Sequence, residues 1–460
     1  MATLGLAALL IAACGGGGGG ADASAGTTGS AGGGDSTIPA TPSGSTCDVT
    51  VTTSDSYDKI EAANPGQTVC ISPGTYHFRV TLAKTGTATA PITVRALDAA
   101  NRPVFDYTST AHDVSGWPGS YAASDAVRSA WRVTGAYYVI DGIVIQGANN
   151  AANNWQINDN TAGIRYLNSS HLTVRNCRLY NNDMGVQGGG SNTLIEYTEF
   201  DRNGVLASDQ SHNLYVLGGD NFTLQYSYLH DSVGGQNFHV RARNATLAYN
   251  WFQNAADYEG DMMTNQSSYD AGANGVQSML FIGNVVVQNP TPGNENKLIT
   301  LYNDGGTPNP TMNLTAIWNT FVFREAARGT DTAPIQFSKN TLAGGTVVFS
   351  NNVVSASGPR SAVITDSGSG TLALSGINNF FPTGSSVLPL TSTKFAPDVL
   401  FVNASGNDYT LQPISPAFGY ASVAVTPQPA WRFSAAPTAA GSLSGKIASR
   451  TSVTNPGALQ

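Results

Sequence analysis

Three segments decide the fold: HNLYVLGG (212–219), QNFHVRARN (236–244) and YEGDMMTNQ (258–266). Each places polar or charged residues at alternate positions. Between them stand FTLQYSYLHDS (222–232) and ATLAYNWFQNA (245–255), which alternate apolar residues and then set a small or amide residue two places before another apolar one. Two kinds of strand therefore alternate along the chain. A unit this short cannot bury its own apolar face and must stack on its neighbours, which is the definition of a solenoid.

The small or amide residue serves as an anchor from which the register is followed. Asp141, Cys177, Thr198, Ser227, Asn250, Asn284, Asn319, Asn351 and Asn378 each precede an apolar residue by two, at intervals of 21 to 36 residues. The shorter intervals suit one coil of three short strands, and the longer ones add loops to the same coil. Val, Ile, Thr, Phe and Tyr dominate, and the alternation has period two, which excludes a helical solenoid. The sequence thus predicts an all-β chain: a single-stranded right-handed parallel β-helix. Stacked Asn and Ser at its corners are expected to bond from coil to coil.

Only 11% of the 460 residues are charged, 51 are Gly, and the net charge is −8. Such a surface lacks the basic stripe that nucleic acid requires. Leu4 to Ala13 is an apolar run too short to span a bilayer. It ends in IAAC, residues 11–14, before a run of glycines, and so resembles a bacterial lipoprotein signal. That resemblance implies export, lipidation of Cys14 and anchoring to the outer membrane or cell surface, with residues 1–14 as the signal. Residues 15–46, rich in Gly, Ser, Ala and Thr, read as a flexible tether. In an exported protein Cys47 and Cys70 are expected to form a disulfide at the N-terminal cap, leaving Cys177 as a buried thiol. Residues 56–63 suit a short amphipathic capping helix.

PGQTVCISPGTY (65–76), TGTATAPITVRALD (85–98) and DYTLQPISPAFGYA (408–421) resemble the opening and the close of the pectate-lyase-like superfamily, in particular the chondroitinase-B-like and alginate lyases. The resemblance places the β-helix at 47–425 and leaves 426–460 as a C-terminal tail. It implies an acidic polysaccharide as partner and a monomeric protein.

Strand parity selects the residues that face outward. With Leu214, Val216, Phe238, Val240 and Met262 inside, two polar columns are expected outside: Asn213, Asn237 and Glu259, and beside them Tyr215, His239 and Asp261. Arg241 shares the face of His239, Asp183 and Gln187 extend it upstream, and Lys297 comes from the next coil. Elimination at a uronate needs its carboxylate neutralised, a base for the C5 proton and an acid for the leaving oxygen. Arg241 can neutralise, His239 backed by Asp261 can act as base, and Tyr215 or Lys297 as acid. Asn213, Asn237 and Glu259 offer hard oxygens for Ca²⁺ and for substrate. In the lyases that the chain resembles, a lysine and an arginine stand where this chain has His239 and Arg241, beside a calcium site.

Two other functions fit the same residues. Glu259 and Asp261, two apart on one strand, suit the acid and base of an inverting glycoside hydrolase. Trp155, Tyr215 and Trp251 would serve as sugar platforms in a surface adhesin that binds glycans without cleaving them.

Overall fold

The computed structural model describes residues 46–108, 129–148, 161–205, 210–264, 276–289, 297–303, 310–324, 335–338, 342–359, 362–365, 370–387 and 389–460. Their strands pair in parallel into three long sheets of twelve, twelve and ten strands. Each coil contributes one strand to each sheet. Phe222–Gln225, Tyr228–His230 and Phe238–Val240 make one turn, and Asn244–Ala248, Trp251–Gln253 and Gly260–Met263 make the next. This is the parallel β-helix expected from the alternation, and crossovers between parallel strands take a right hand.

Inward residues form one continuous core along the helix. Phe252, Phe281, Phe321 and Phe349 stack in file, with ring centroids 5.9, 6.3 and 5.6 Å apart. Met262 is inside, as expected. Gly260 beside it is obligatory, because a Cβ there would lie 2.1 Å from the Phe238 ring.

The corner between the first and second sheets carries a buried asparagine ladder. Asn250 Nδ2 donates to Leu224 O at 2.9 Å, and Asn284 Oδ1 accepts the Asn250 N–H at 2.9 Å. Asn319, Asn352 and Asn379 repeat the pattern. Three expected anchors are therefore displaced. Val144 pairs with Arg178, which puts Ile143 rather than Asp141 opposite Cys177, while Asn351 and Asn378 stand one residue before the ladder. Both adopt left-handed backbone, with φ of 55°, which Asn tolerates better than most residues. In each Asn-Asn pair the first residue makes the turn and the second makes the ladder.

Cys47 and Cys70 are joined, tying the chain just before Val49–Val51 to Thr68–Ile71 across the first rung. Asp58–Glu61 is the capping helix, and its Ile60 is buried. Cys177 is a buried thiol that burial pushes up to about 12. The parallel stack ends at Lys394–Ala396, short of the expected limit at 425, and Phe401–Asn403 pairs with Asp408–Leu411 antiparallel. Residues 426–460 then lie back along the coils. Ala430 N donates to Tyr249 Oη at 3.1 Å, Arg450 covers the Trp318 ring at 5.0 Å, and Ala458 N donates to Thr320 Oγ1 at 2.9 Å.

Candidate active site

The third sheet sets one outward column in register: Arg132, Arg165, Gln187, Tyr215, His239, Asp261 and Thr300. Tyr215, His239 and Asp261 are thus adjacent rungs, as parity predicts. The Tyr215 ring meets His239 edge-on, with centroids 4.5 Å apart, and Arg241 Cζ lies 5.8 Å from the Tyr215 ring centre. Arg241 Nη1 also donates to Thr264 O at 3.0 Å.

His239 is 5% exposed, and Asp261 is fully buried. Asp261 Oδ1 lies 3.1 Å from His239 Nδ1, within ion-pair range but out of line for a hydrogen bond. Neither His239 nitrogen, nor Asp261 Oδ1, nor Thr300 Oγ1 has a hydrogen-bond partner among the described residues. Orphaned buried polar atoms are uncommon and costly, at about 1–3 kcal/mol each. Here they occupy three consecutive rungs.

Residues that the sequence reading passed over complete the site. His212 stacks on His239 at 4.9 Å between centroids and 16° between planes. Gln236 N donates to its Nδ1 at 3.2 Å, so a neutral ring carries its proton on Nε2. Burial holds His212 well below the usual histidine range, with His239 and Arg241 adding to the effect. Tyr258 Oη donates to Asp261 Oδ2 at 2.9 Å and lies 3.1 Å from Tyr302 Oη. Burial raises the Tyr258 phenol far above its normal range, so it remains a donor. Lys297 lies over Tyr258, with Nζ 5.8 Å from the ring centre. Ile299 and Leu301 point inward there and Thr300 outward, which settles the parity of that strand. No spacing rule reaches His212 or Tyr258, because each enters from a corner between strands.

The second expected column is not on the outer face. Asn213, Asn237 and Glu259 are fully buried in the corner before the third sheet. Asn213 Nδ2 donates to Asn237 Oδ1 at 2.6 Å, and Asn237 Nδ2 donates to Glu259 Oε2 at 2.7 Å. The corner turns the backbone, so parity counted back from the strand fails by one residue there. The next coil fills the equivalent slot with buried Leu298.

These three residues do not fit Ca²⁺. Asn213 Oδ1 accepts two hydrogen bonds from Asn203, and Glu259 Oε1 accepts the Ala255 N–H at 2.9 Å. Burial raises the Glu259 carboxyl to about 8, which leaves it largely uncharged near neutral pH. The same burial parts Glu259 from Asp261, so the two carboxyls do not face one substrate as a hydrolase pair. Trp251 is no sugar platform either, since it is buried against Tyr409 and Phe433. Asp183 sits in the turn, accepting the Thr161 N–H at 3.3 Å. Trp155, Cys14 and the insertions 149–160 and 265–275 lie outside the described residues.

Glu199, Asp201 and His230 are the group of described residues close enough to share a metal. Arginines already face its carboxylates in ion pairs, although Glu199 Oε2 keeps no hydrogen-bond partner among the described residues. Arg178 reaches Glu199 at 3.1 Å and Asp201 at 2.5 Å, and Arg202 reaches Asp201 at 2.9 Å.

No family model matches the chain, and no curated protein is similar to it. Among solved structures it is similar to an alginate lyase from Paenibacillus sp., at 16% identity and TM-score 0.40, over 76% of this chain and 97% of that one. It is also similar to the pectate lyase Pel9A, at 16% and 0.41 over 79% and 85%. A rhamnogalacturonan lyase matches at 13% and 0.44, over 80% and 92%.

Proposed function

We propose that this protein is a lyase that cleaves a uronate-containing polysaccharide by β-elimination at the third-sheet face. The reading is carried by the orphaned polar atoms of His239, Asp261 and Thr300 on consecutive rungs beside Arg241. A polar ligand laid along the face would complete such a run of atoms. In this reading Arg241 faces the sugar carboxylate and disperses the charge that develops when the C5 proton leaves. His239 accepts that proton. The electrons form the C4–C5 double bond, the C4–O bond breaks, and Tyr215 protonates the departing oxygen. Lys297, farther along and set against Tyr258, is the second choice as acid. Asp261, held by Tyr258, stabilises the imidazolium at His239. No step needs a metal.

The test is a panel of alginate, pectate, glycosaminoglycans and neutral glycans, followed by ultraviolet absorbance of the unsaturated product and by reducing ends. Growth of both supports elimination. Reducing ends alone mean hydrolysis, and retention without cleavage means a glycan-binding protein; either overturns the proposal.

A further inference from the structure

His212 is a buried titratable group at this face that the steps above leave unused. It is 3% exposed, and its ring lies against two of the reacting groups: nearly parallel to His239, with centroids 4.9 Å apart, and edge-on to Tyr215 at 5.2 Å. The corner at Gln236 fixes its tautomer. The Gln236 N–H fills the lone pair of Nδ1, so the proton of the neutral ring sits on Nε2, at the opposite edge. No described residue accepts that proton, and Nε2 is not sealed in as the two His239 nitrogens are. The fold has thus oriented a donor and left it without an acceptor. Burial, reinforced by His239 and Arg241, keeps the ring neutral.

Neutrality suits the chemistry. When His239 takes the C5 proton, the electron pair of the C5–H bond spreads onto the carboxyl oxygens, and His239 becomes a cation. A second cation stacked on that imidazolium would be repelled. A neutral donor stabilises the growing negative charge without that repulsion, and a neutral imidazole held as a donor is one way to polarise an oxygen while a neighbouring carbon loses its proton.

We propose that His212 is a further catalytic residue of the elimination, donating its Nε2–H as a hydrogen bond to the sugar carboxylate beside Arg241. The proposal rests on the lyase reading above and adds a second group at the carboxylate. His212 keeps its proton throughout. The charge on the carboxyl oxygens collapses into the C4–C5 double bond as the C4–O bond breaks, and the leaving oxygen takes its proton from Tyr215.

Two substitutions separate the two edges of the ring. His212→Asn puts an amide oxygen near the place of Nδ1, where it still accepts from Gln236, whereas His212→Gln puts an amide nitrogen near the place of Nε2, where it still donates. On polygalacturonate, alginate and chondroitin sulfate, followed by ultraviolet absorbance, His212→Gln should keep kcat within about tenfold of the wild type and His212→Asn should lose about 10²- to 10³-fold, the usual loss of one such donor. The loss should fall on kcat rather than KM, because the bond strengthens only as charge develops. Thermal midpoints check the fold. Imidazole ¹⁵N spectra of the wild type give a readout apart from turnover: the signals that disappear in His212→Asn should show Nδ1 bare and Nε2 protonated. Turnover of the Asn variant equal to or above that of the Gln variant, or a proton on Nδ1, overturns the role of His212 and leaves elimination standing. No unsaturated product from the wild type on any of the three polymers overturns the elimination reading itself.

Discussion

His239 and Arg241 are the residues on which the proposed chemistry turns. His239→Ala should lower turnover roughly 10²- to 10⁴-fold, the usual contribution of a general base. Arg241→Ala should cost a similar factor through kcat/KM. Circular dichroism and the thermal midpoint should show the β-helix retained in both, because the core contacts come from Phe238 and Val240. Wild-type turnover in His239→Ala would sink the assignment. Glu259 makes a separate prediction about stability. Burial lifts its folded pKa to about 8 from an ordinary carboxyl value of 4.5, so its contribution is full below pH 4.5 and is lost as pH rises toward 8. The loss approaches about 5 kcal/mol at most. Glu259→Gln keeps the shape and removes the proton equilibrium. Denaturant melts at pH 5 and pH 9 should therefore differ less for the variant than for the wild type, and an equal difference would refute a buried neutral carboxyl.

At the scale of the element, the corner matters more than the strand. Asn352 Nδ2 donates to Ala316 O at 2.9 Å, and its Oδ1 accepts the Asn319 N–H at 2.8 Å. Asn352→Ala leaves both backbone groups buried without partners, for a loss of about 2–5 kcal/mol. Asn351→Gly keeps the left-handed turn and loses only the bonds to Ser422, for about 1 kcal/mol. Chemical denaturation of the two variants decides which of the adjacent asparagines belongs to the ladder. The aromatic corner has another cause. Tyr197, Tyr226 and Tyr249 hold φ of 48°, 54° and 57°, where Gly or Asn would be easier. Their rings stack at 4.9 and 5.7 Å, and the C-terminal segment covers them. Packing energy offsets the backbone cost there, which propensity alone does not anticipate.

At the scale of the whole molecule, residues 426–460 act as a strap. Trp431 meets Tyr226 edge-on, and Phe433 packs on Trp251. Removing the segment uncovers Tyr249, Trp251 and Trp318, at a cost on the order of 5 kcal/mol. A chain truncated at Val425 should melt at lower temperature and bind a hydrophobic dye, and an unchanged melt would show that the strap is dispensable. We also propose that the protein is exported and anchored through Cys14. Labelled palmitate should enter the wild type and not Cys14→Ser; label persisting in the variant would exclude that anchor.

Sequence alone determined the β-helix, the inward positions of the central strands, the Cys47–Cys70 bridge and the rungs Tyr215, His239 and Asp261. The bridge follows from cysteine usage in a chain that resembles an exported one, and the others from period-two alternation and coil spacing, which are local properties of the chain. The tertiary structure decided what happens at the corners. There a turn of the backbone takes Asn213, Asn237 and Glu259 from the expected outer face into a buried ladder, brings His212 onto His239 and seats Tyr258 on Asp261. A strand pattern specifies which side a residue takes along a straight run. It does not specify how far the chain rotates between two runs, and that rotation depends on the coils stacked above and below.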